Sequence, residues 1–201
     1  YVLIMDTAFN LVKSLPEANP ESPQHHSCHD PETRLPTDPE VFVPTQEGEF
    51  STVTGVKIDR NGNIYVADHA QNVVQVFDRD GNFVTWIGKP GGDNPVDVEG
   101  QLQGPVGLLL DQFGGVNGDQ FQRLGVIDEG NGRAVFYDIK NGPANATFEF
   151  QLDVTVGVDD FPMGIELQRG PVSEGLDPKG RILVTDPWRR RVLRFELPEL
   201  V

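Results

Sequence analysis

Apolar and polar residues alternate in short runs along most of the chain, and turn residues separate these runs. Residues 53–88 show the pattern best, with four short apolar runs joined by tight turns. Two of the turns contain Asn61-Gly62 and Asp80-Gly81, dipeptides that favour two-residue β-hairpin loops because they accept positive φ angles. The pattern predicts a sheet of four short antiparallel strands.

The third run of this unit carries apolar side chains on both faces of the predicted sheet. Val74 and Val76 would lie on one face, and Val73 and Phe77 on the other. A sheet with one face in water would place polar residues on that face. We therefore expect this sheet to pack between two similar sheets.

The chain contains three copies of the unit in one register. Each copy has an acidic residue where the second run ends and an aromatic residue nine positions later, without gaps: Asp68 and Phe77, Asp128 and Tyr137, Asp186 and Phe195. The first run of each copy contains a glycine, at positions 55, 107 and 164. Residues 1–15 match the third and fourth runs, so the sequence is predicted to begin within a repeat.

The segment GNIYVADHAQNVVQVFDRDG, residues 62–81, resembles the NHL repeat of β-propellers. The resemblance implies blades with a glycine in the first strand, a YVAD-like second strand and a third strand that begins with arginine. Arg133 and Arg191 occupy that arginine position, whereas Val73 departs from it. The implied fold is an all-β propeller of four-stranded antiparallel blades, incomplete in this chain.

The predicted organisation has three parts: residues 1–15 as the last two strands of a truncated blade, 16–52 as a proline-rich acidic loop or linker, and 53–201 as three NHL-like blades at 53–88, 104–152 and 161–197. Three and a half blades are fewer than the roughly 4–8 that close a propeller. The chain could be part of a longer protein, which we favour, it could close as a small propeller, or partner chains could supply blades.

The chain has 201 residues and a formal net charge of -15. This charge disfavours nucleic acid and anionic membranes as partners, because both attract basic surfaces. No apolar run is long enough to insert into a membrane. The single cysteine excludes an internal disulfide framework. The family resemblance, rather than the composition, suggests an exported protein in an extracellular or periplasmic location.

A local cluster in the proline-rich segment contains His25, His26, Cys28 and His29. Imidazole and thiolate groups are preferred ligands of zinc and copper, so the cluster is a candidate site for a divalent metal. The competing interpretation, which we favour, is a solvated polar loop. The cluster lacks the first cysteine of a covalent haem motif, so any haem would belong to a neighbouring protein.

Asp68, Asp128 and Asp186 recur once per copy, together with Arg133 and Arg191 in the second and third copies. A carboxylate at a strand end can accept backbone N–H groups of the following turn, so we favour a framework role for these residues. The alternative is a ring of carboxylates that binds calcium or a cationic substrate at the central channel.

Trp188, Arg189 and Arg190 follow the third of these aspartates. Tryptophan and arginine are enriched at the energetic centres of protein interfaces, so this turn is a candidate protein contact. The alternative is that Trp188 packs against a neighbouring blade and the arginines are solvated.

The sequence favours a noncatalytic role, as a protein-binding or assembly module within a larger complex. Related propeller enzymes hold a metal with His, Glu, Asn or Asp residues near the channel, and the first strands here, around positions 54, 106 and 163, lack that pattern. The alternative is a metal-dependent hydrolase or lyase of the propeller class. Fold alone does not separate these functions.

Overall fold

The computed structural model describes residues 2–5, 8, 11–15, 47–90, 98–111, 122–154, 162–168, 171–172, 175–176, 181–187 and 189–196. Regular structure within these ranges is β-strand, apart from two short 3-10 turns at Glu129–Asn131 and Pro143–Asn145. In chain order the strands are β1 (Val2–Met5), β2 (Leu11–Leu15), β3 (Val53–Ile58), β4 (Ile64–Asp68), β5 (Val73–Phe77), β6 (Phe83–Gly88), β7 (Pro105–Asp111), β8 (Arg123–Asp128), β9 (Arg133–Asp138), β10 (Thr147–Asp153), β11 (Gly164–Gln168), β12 (Pro171–Val172), β13 (Gly175–Leu176), β14 (Arg181–Asp186) and β15 (Arg191–Glu196).

These strands form antiparallel sheets in which sequence neighbours pair, except that β11 pairs with β14 across the inserted β12–β13 hairpin. Strands β3–β6 form one four-stranded sheet, the first blade, and β7–β10 form another, the second blade. Strands β11, β14 and β15 form the third blade, which has three strands in the described residues, and β1–β2 form a separate hairpin. The prediction of an all-β fold of four-stranded antiparallel sheets is confirmed. The small β12–β13 hairpin, inserted between the first two strands of the third blade, was not predicted.

Period-two alternation sends the side chains of each middle strand into two different cores. In β4, Tyr65 and Ala67 pack toward the second blade, whereas Ile64 and Val66 pack toward the β1–β2 hairpin through Leu15. In the second blade the same alternation contributes to a core with the first blade and to another with the third. Every residue of β4, β5 and β8 is consequently buried. The first blade is packed on both faces, as its sequence predicted.

The first strands of the three blades lie side by side, and glycines allow their close approach. A Cβ atom at Gly55 would lie 3.0 Å from the carbonyl oxygen of Val106, and one at Gly107 would lie 2.6 Å from that of Met163. The hydroxyl of Thr54 donates across the first of these contacts to the carbonyl oxygen of Pro105 at 2.8 Å. At positions 55 and 107 glycine is therefore required by the packing of one blade on the next.

Sheet faces without a complete neighbour retain exposed apolar residues. The outermost described strand of the third blade, β15, alternates between half-buried and exposed residues, and Val192 is 61% exposed. Val56 and Ile58 on β3 are 47% and 63% exposed, and the core that the hairpin forms with the first blade includes Val53 of β3 but neither of these two residues. Burial therefore depends on the adjacent sheet.

The glycine contact gives a direct test of this packing. Gly107→Ala should destabilise the chain by roughly 1–3 kcal/mol, because its Cβ would collide with a backbone oxygen that cannot move alone. Gly164→Ala is the matched control: its Cβ would meet the hydroxyl of Thr185, an exposed side chain that can rotate. Urea unfolding of both variants measures the difference, and equal losses would contradict the close-packing role of Gly107.

Candidate functional site

Three equivalent turns lie at one end of the blades. They connect the second strand of each blade to the third and span residues 68–72, 128–132 and 186–190. Because antiparallel strands reverse direction at every turn, the segments that lead into the first strands lie at the same end. The N–H of His69 bonds to the carbonyl of Thr52, and that of Glu129 to Gly104, which joins turn and segment in both complete blades. We call this end the turn face.

Asp68 is buried at the end of β4, and its carboxylate holds the segment that leads into β3. It accepts the N–H groups of Ser51 at 2.8 Å and Thr52 at 3.0 Å. The side-chain amide of Gln71 donates to Oδ2 at 2.9 Å, and that of Gln75 lies 3.4 Å from the same oxygen. This carboxylate thus connects a turn, a strand and the preceding segment.

Asp128 occupies the equivalent position in the second blade. It accepts the N–H of Gln103 at 2.5 Å, and Gln103 and Ser51 both lie four residues before the glycine of their first strand. Arg133 donates its Nε to Asp128 at 2.8 Å, and its remaining nitrogens donate to Gln151 and to the carbonyl of Gln101, each at 2.7 Å. The guanidinium and carboxylate form a buried, hydrogen-bonded ion pair.

Asp186 makes the corresponding contacts in the third blade. Its carboxylate accepts the N–H of Arg189 at 3.2 Å and Nε of Arg191 at 3.0 Å. Asp186 is buried, and the side chain of Arg191 is half-buried. The three predicted framework aspartates therefore point into the sheet ends and bond with their own blades.

The first blade replaces the arginine of the repeat with two glutamines. Val73 occupies the arginine position, and the amides of Gln71 and Gln75 donate to Asp68 instead. Both glutamines are fully buried and also donate to the carbonyl of Glu49. The repeat pattern does not point to these glutamines. The one sign of them in the sequence is Gln75, a single polar residue in an otherwise apolar five-residue strand.

The fourth residue after each aspartate has a left-handed backbone conformation. Its φ is 63° at Asn72, 64° at Gly132 and 54° at Arg190. In each turn the N–H of this residue bonds to a carbonyl three positions earlier, that of His69, Glu129 or Pro187. Glycine adopts this conformation without cost and asparagine with little, whereas arginine is unfavourable there.

The exposed side chains of the turn face carry charges of both signs. His69 lies against Gly104 and places its Nε2 3.2 Å from Oε2 of Glu129, which bridges the first and second blades. These side chains are 40% and 27% exposed. Arg189 and Arg190, on the turn of the third blade, are exposed. The predicted contact residues Arg189 and Arg190 therefore lie where a partner can reach them.

The opposite end of the first blade has two hairpin turns with aspartate caps. Asp59 accepts the N–H groups of Asn61 and Asn63, each at 2.8 Å, and Asp78 accepts those of Asp80 and Asn82 at 2.9 and 2.8 Å. The asparagine side-chain amide at the end of each turn donates to the same aspartate. These carboxylates are occupied by backbone and amide donors, as expected of turn caps.

Several predicted site residues lie outside the ranges that the structure describes: His25, His26, Cys28, His29 and Trp188. Among the residues within them, no group of three or more His, Cys, Asp and Glu side chains is arranged to hold a metal ion. No helix in that part of the chain is long and apolar enough to cross a membrane.

No protein-family model matches the chain. A stretch of 39 residues, 19% of the chain, is 44% identical to protein lin-41 of Caenorhabditis elegans and covers 3% of that protein. A streptogramin B lyase structure matches with 16% identity and a TM-score of 0.42, and a virginiamycin B lyase from Staphylococcus aureus with 14% and 0.37. Each covers 73% of this chain, which spans 41% of the matched structure.

Both TM-scores lie below 0.5, and the architecture is established by the strand order and the packing between sheets. The described sheets pack on one another as blades of part of a β-propeller, and their repeat resembles the NHL repeat. On its turn face each of the three blades carries an equivalent aspartate that bonds within its own blade, and the exposed residues differ from blade to blade.

Loss of the buried carboxylate should lower the free energy of unfolding more where its partner is an arginine than where its partners are neutral groups. Asp128→Asn should cost roughly 3–5 kcal/mol, because it leaves the Arg133 guanidinium buried without its carboxylate. Asp68→Asn should cost about 1–3 kcal/mol, since the donors there are neutral. Urea unfolding measures both. Asp80→Asn, at an exposed position, is the control and should have little effect. A larger loss at Asp68 than at Asp128 would contradict this account.

The capped turn at Asp78 predicts a pH effect. The hydrogen bond from the Asn82 side chain, followed by backbone N–H groups, holds the pKa of the Asp78 carboxyl below its ordinary value. The lowered pKa means that this turn is stabilised above the unfolded-state pKa and loses that contribution as pH falls through the folded-state pKa. An NMR titration should show a lowered pKa that Asn82→Ala moves back up. An unchanged pKa in that variant would refute the cause.

Proposed function

We propose that this chain is a noncatalytic propeller module that binds or assembles with another protein through its turn face. One observation carries the proposal: Arg190 occupies a left-handed backbone position on an exposed turn. The equivalent positions in the other blades hold glycine and asparagine, the two residues that tolerate this conformation best.

An arginine at this position lowers the stability of the chain. A left-handed conformation costs an ordinary residue roughly 1–2 kcal/mol, and the exposed side chain of Arg190 does not offset this by burial. Strained residues of this kind cluster at functional sites, where their side chains contribute something other than stability. Arginine is also among the residues most enriched at the energetic centres of interfaces.

The charge arrangement of the turn face favours a protein partner over a nucleic acid. The third blade presents Arg189 and Arg190, whereas the junction of the first two blades presents the pair of His69 and Glu129. A phosphate backbone selects a continuous basic surface, and the chain as a whole has a net charge of -15. Mixed charges on a rigid framework suit recognition of a protein surface with the complementary pattern.

Two further predictions from the sequence accompany this proposal. Export to an extracellular or periplasmic compartment stays a prediction. The metal-dependent hydrolase or lyase is the alternative function, and metal analysis of the purified protein tests it, since a stoichiometric, tightly bound divalent ion would favour the enzyme.

Substitutions at Arg190 separate its binding role from its backbone cost. Arg190→Gly should stabilise the chain by about 1 kcal/mol because it relieves the left-handed conformation. Arg190→Ala removes the same guanidinium but keeps a Cβ, so it should not stabilise the chain comparably. Urea unfolding measures both variants. Equal stability of the two would contradict the assigned strain.

Binding through the turn face can be measured by site-specific photo-crosslinking in the protein's own host. A crosslinking amino acid at Ala70, on the turn face, should capture a specific protein, whereas one at Lys140, at the opposite end, should not. Arg190→Ala and Arg190→Gly should both reduce the adduct severalfold. Identical adducts from the two positions, or adducts that neither variant reduces, would refute the proposed face.

A further inference from the structure

A cavity of about 280 Å³ lies on the outer rim, between the first and second blades. Its wall from the first blade is β6, and its wall from the second comprises the turn at Pro143–Asn145 and the side chains of Tyr137 and Phe148. Pockets for whole small-molecule ligands occupy roughly 300–1,000 Å³. The volume of this cavity lies at the lower end of that range and accommodates one long side chain.

The strand that forms one wall has an unpaired edge. In the first blade β6 is the last strand of the sheet and pairs with β5 on one side. No other strand pairs with its outer edge in the part of the chain that the structure describes. Backbone N–H and C=O groups on such an edge are a template for another extended chain. The cavity therefore combines a side-chain site with a backbone-pairing site.

The charge of the cavity lining favours a cation. Glu99 lines the cavity and is exposed. Tyr137 donates its hydroxyl to the carbonyl of Gly100 at 3.0 Å. Burial, followed by the nearby charge of Asp128, raises the pKa of this phenol, so it stays neutral. Glu99 is then the charged group among the residues that line the cavity.

The same blade already holds a guanidinium with this combination of groups. Arg123 forms a two-point ion pair with the carboxylate of Glu149 and lies 5.2 Å from the ring centroid of Phe150. In the cavity, Glu99 supplies a carboxylate, and Phe148, two residues before Phe150 on β10, supplies an aromatic ring. Planar stacking on a ring together with a carboxylate selects arginine over lysine.

We propose that this cavity binds an arginine side chain carried by an extended segment of a partner protein, whose backbone pairs with the free edge of β6. The surface is distinct from the turn face, so a partner could occupy both or either. The strong negative charge of the chain supports attraction of a basic segment.

A labelled heptapeptide of alternating Thr and Val around a central Arg tests the proposal by fluorescence anisotropy with the full chain. The Arg peptide should bind, and the matching Gln peptide should bind about tenfold more weakly, because it lacks the charge-assisted hydrogen bonds. The affinity of the matching Lys peptide should lie between those of the Arg and Gln peptides. Equal binding of all three, or of none, would overturn the arginine site.

Variants of the chain locate the binding. Glu99→Gln should lower the affinity of the chain for the Arg peptide about tenfold. Glu47→Gln, which makes the same charge change at an exposed position that does not line the cavity, should leave binding unchanged. Ala144→Trp, at another exposed position, should fill the cavity and abolish binding. Arg190→Ala should have no effect here, which separates this surface from the turn face. Binding that survives both cavity variants would overturn the assigned location.

Three controls distinguish the occupant. N-methylation of alternate peptide residues should weaken binding if the backbone pairs with β6, and unchanged binding would overturn the strand pairing. Arginine amide that competes as well as the peptide would show a site for small guanidinium ligands instead. Self-association of the chain that the peptide inhibits would show a second copy as the occupant. Either result would overturn the proposed partner segment.

Discussion

Each blade of this chain buries its apolar faces only where another sheet covers them. Strands β4 and β5 are buried throughout because the hairpin covers one face of the first blade and the second blade covers the other. The third blade, with one described neighbour, buries alternate residues of β14 and leaves others open. Apolar burial between sheets is thus the main stabilising interaction, and hydrogen bonds within a sheet position the side chains for it.

The requirement for close contact also determines where glycine and aspartate recur. The first strands approach closely enough that a side chain at Gly107 would meet the backbone of the third blade. In the two four-stranded blades, the aspartate at the end of the second strand then joins the turn to the segment that leads into the same blade. The glycine thus fixes the first strand of a blade against its neighbour, and the aspartate fixes the turn-face end of the blade. The remaining surface can vary.

Much of the fold could be predicted from the sequence because its signals are local. Alternating apolar residues and the Asn61-Gly62 and Asp80-Gly81 turns specify antiparallel strands, and the fixed spacing from Asp68 to Phe77 recurs in each copy. The glutamines that serve Asp68 were missed because the repeat pattern points to position 73, whereas Gln71 and Gln75 reach the carboxylate from flanking positions. Side-chain reach between neighbouring strands is not visible in linear spacing.

The candidate sites were harder to predict than the fold. Arg189 and Arg190 could be identified from their residue type and their position after Asp186. The left-handed backbone of Arg190, which it shares with Asn72 and Gly132, is visible only in the structure. The rim cavity could not be predicted at all, since Ile87, Glu99 and Phe148 come from different elements that meet through blade packing.

The left-handed position on each turn has a consequence for how such a surface changes over evolutionary time. Its backbone shape is held by an aspartate and a short hydrogen-bonded loop, so the residue there can be exchanged while the sheets stay intact, at a cost that rises from none for glycine to roughly 1–2 kcal/mol for an ordinary residue. One exchangeable position on the turn face of each blade would let a lineage acquire a new binding specificity by single substitutions and keep its architecture unchanged.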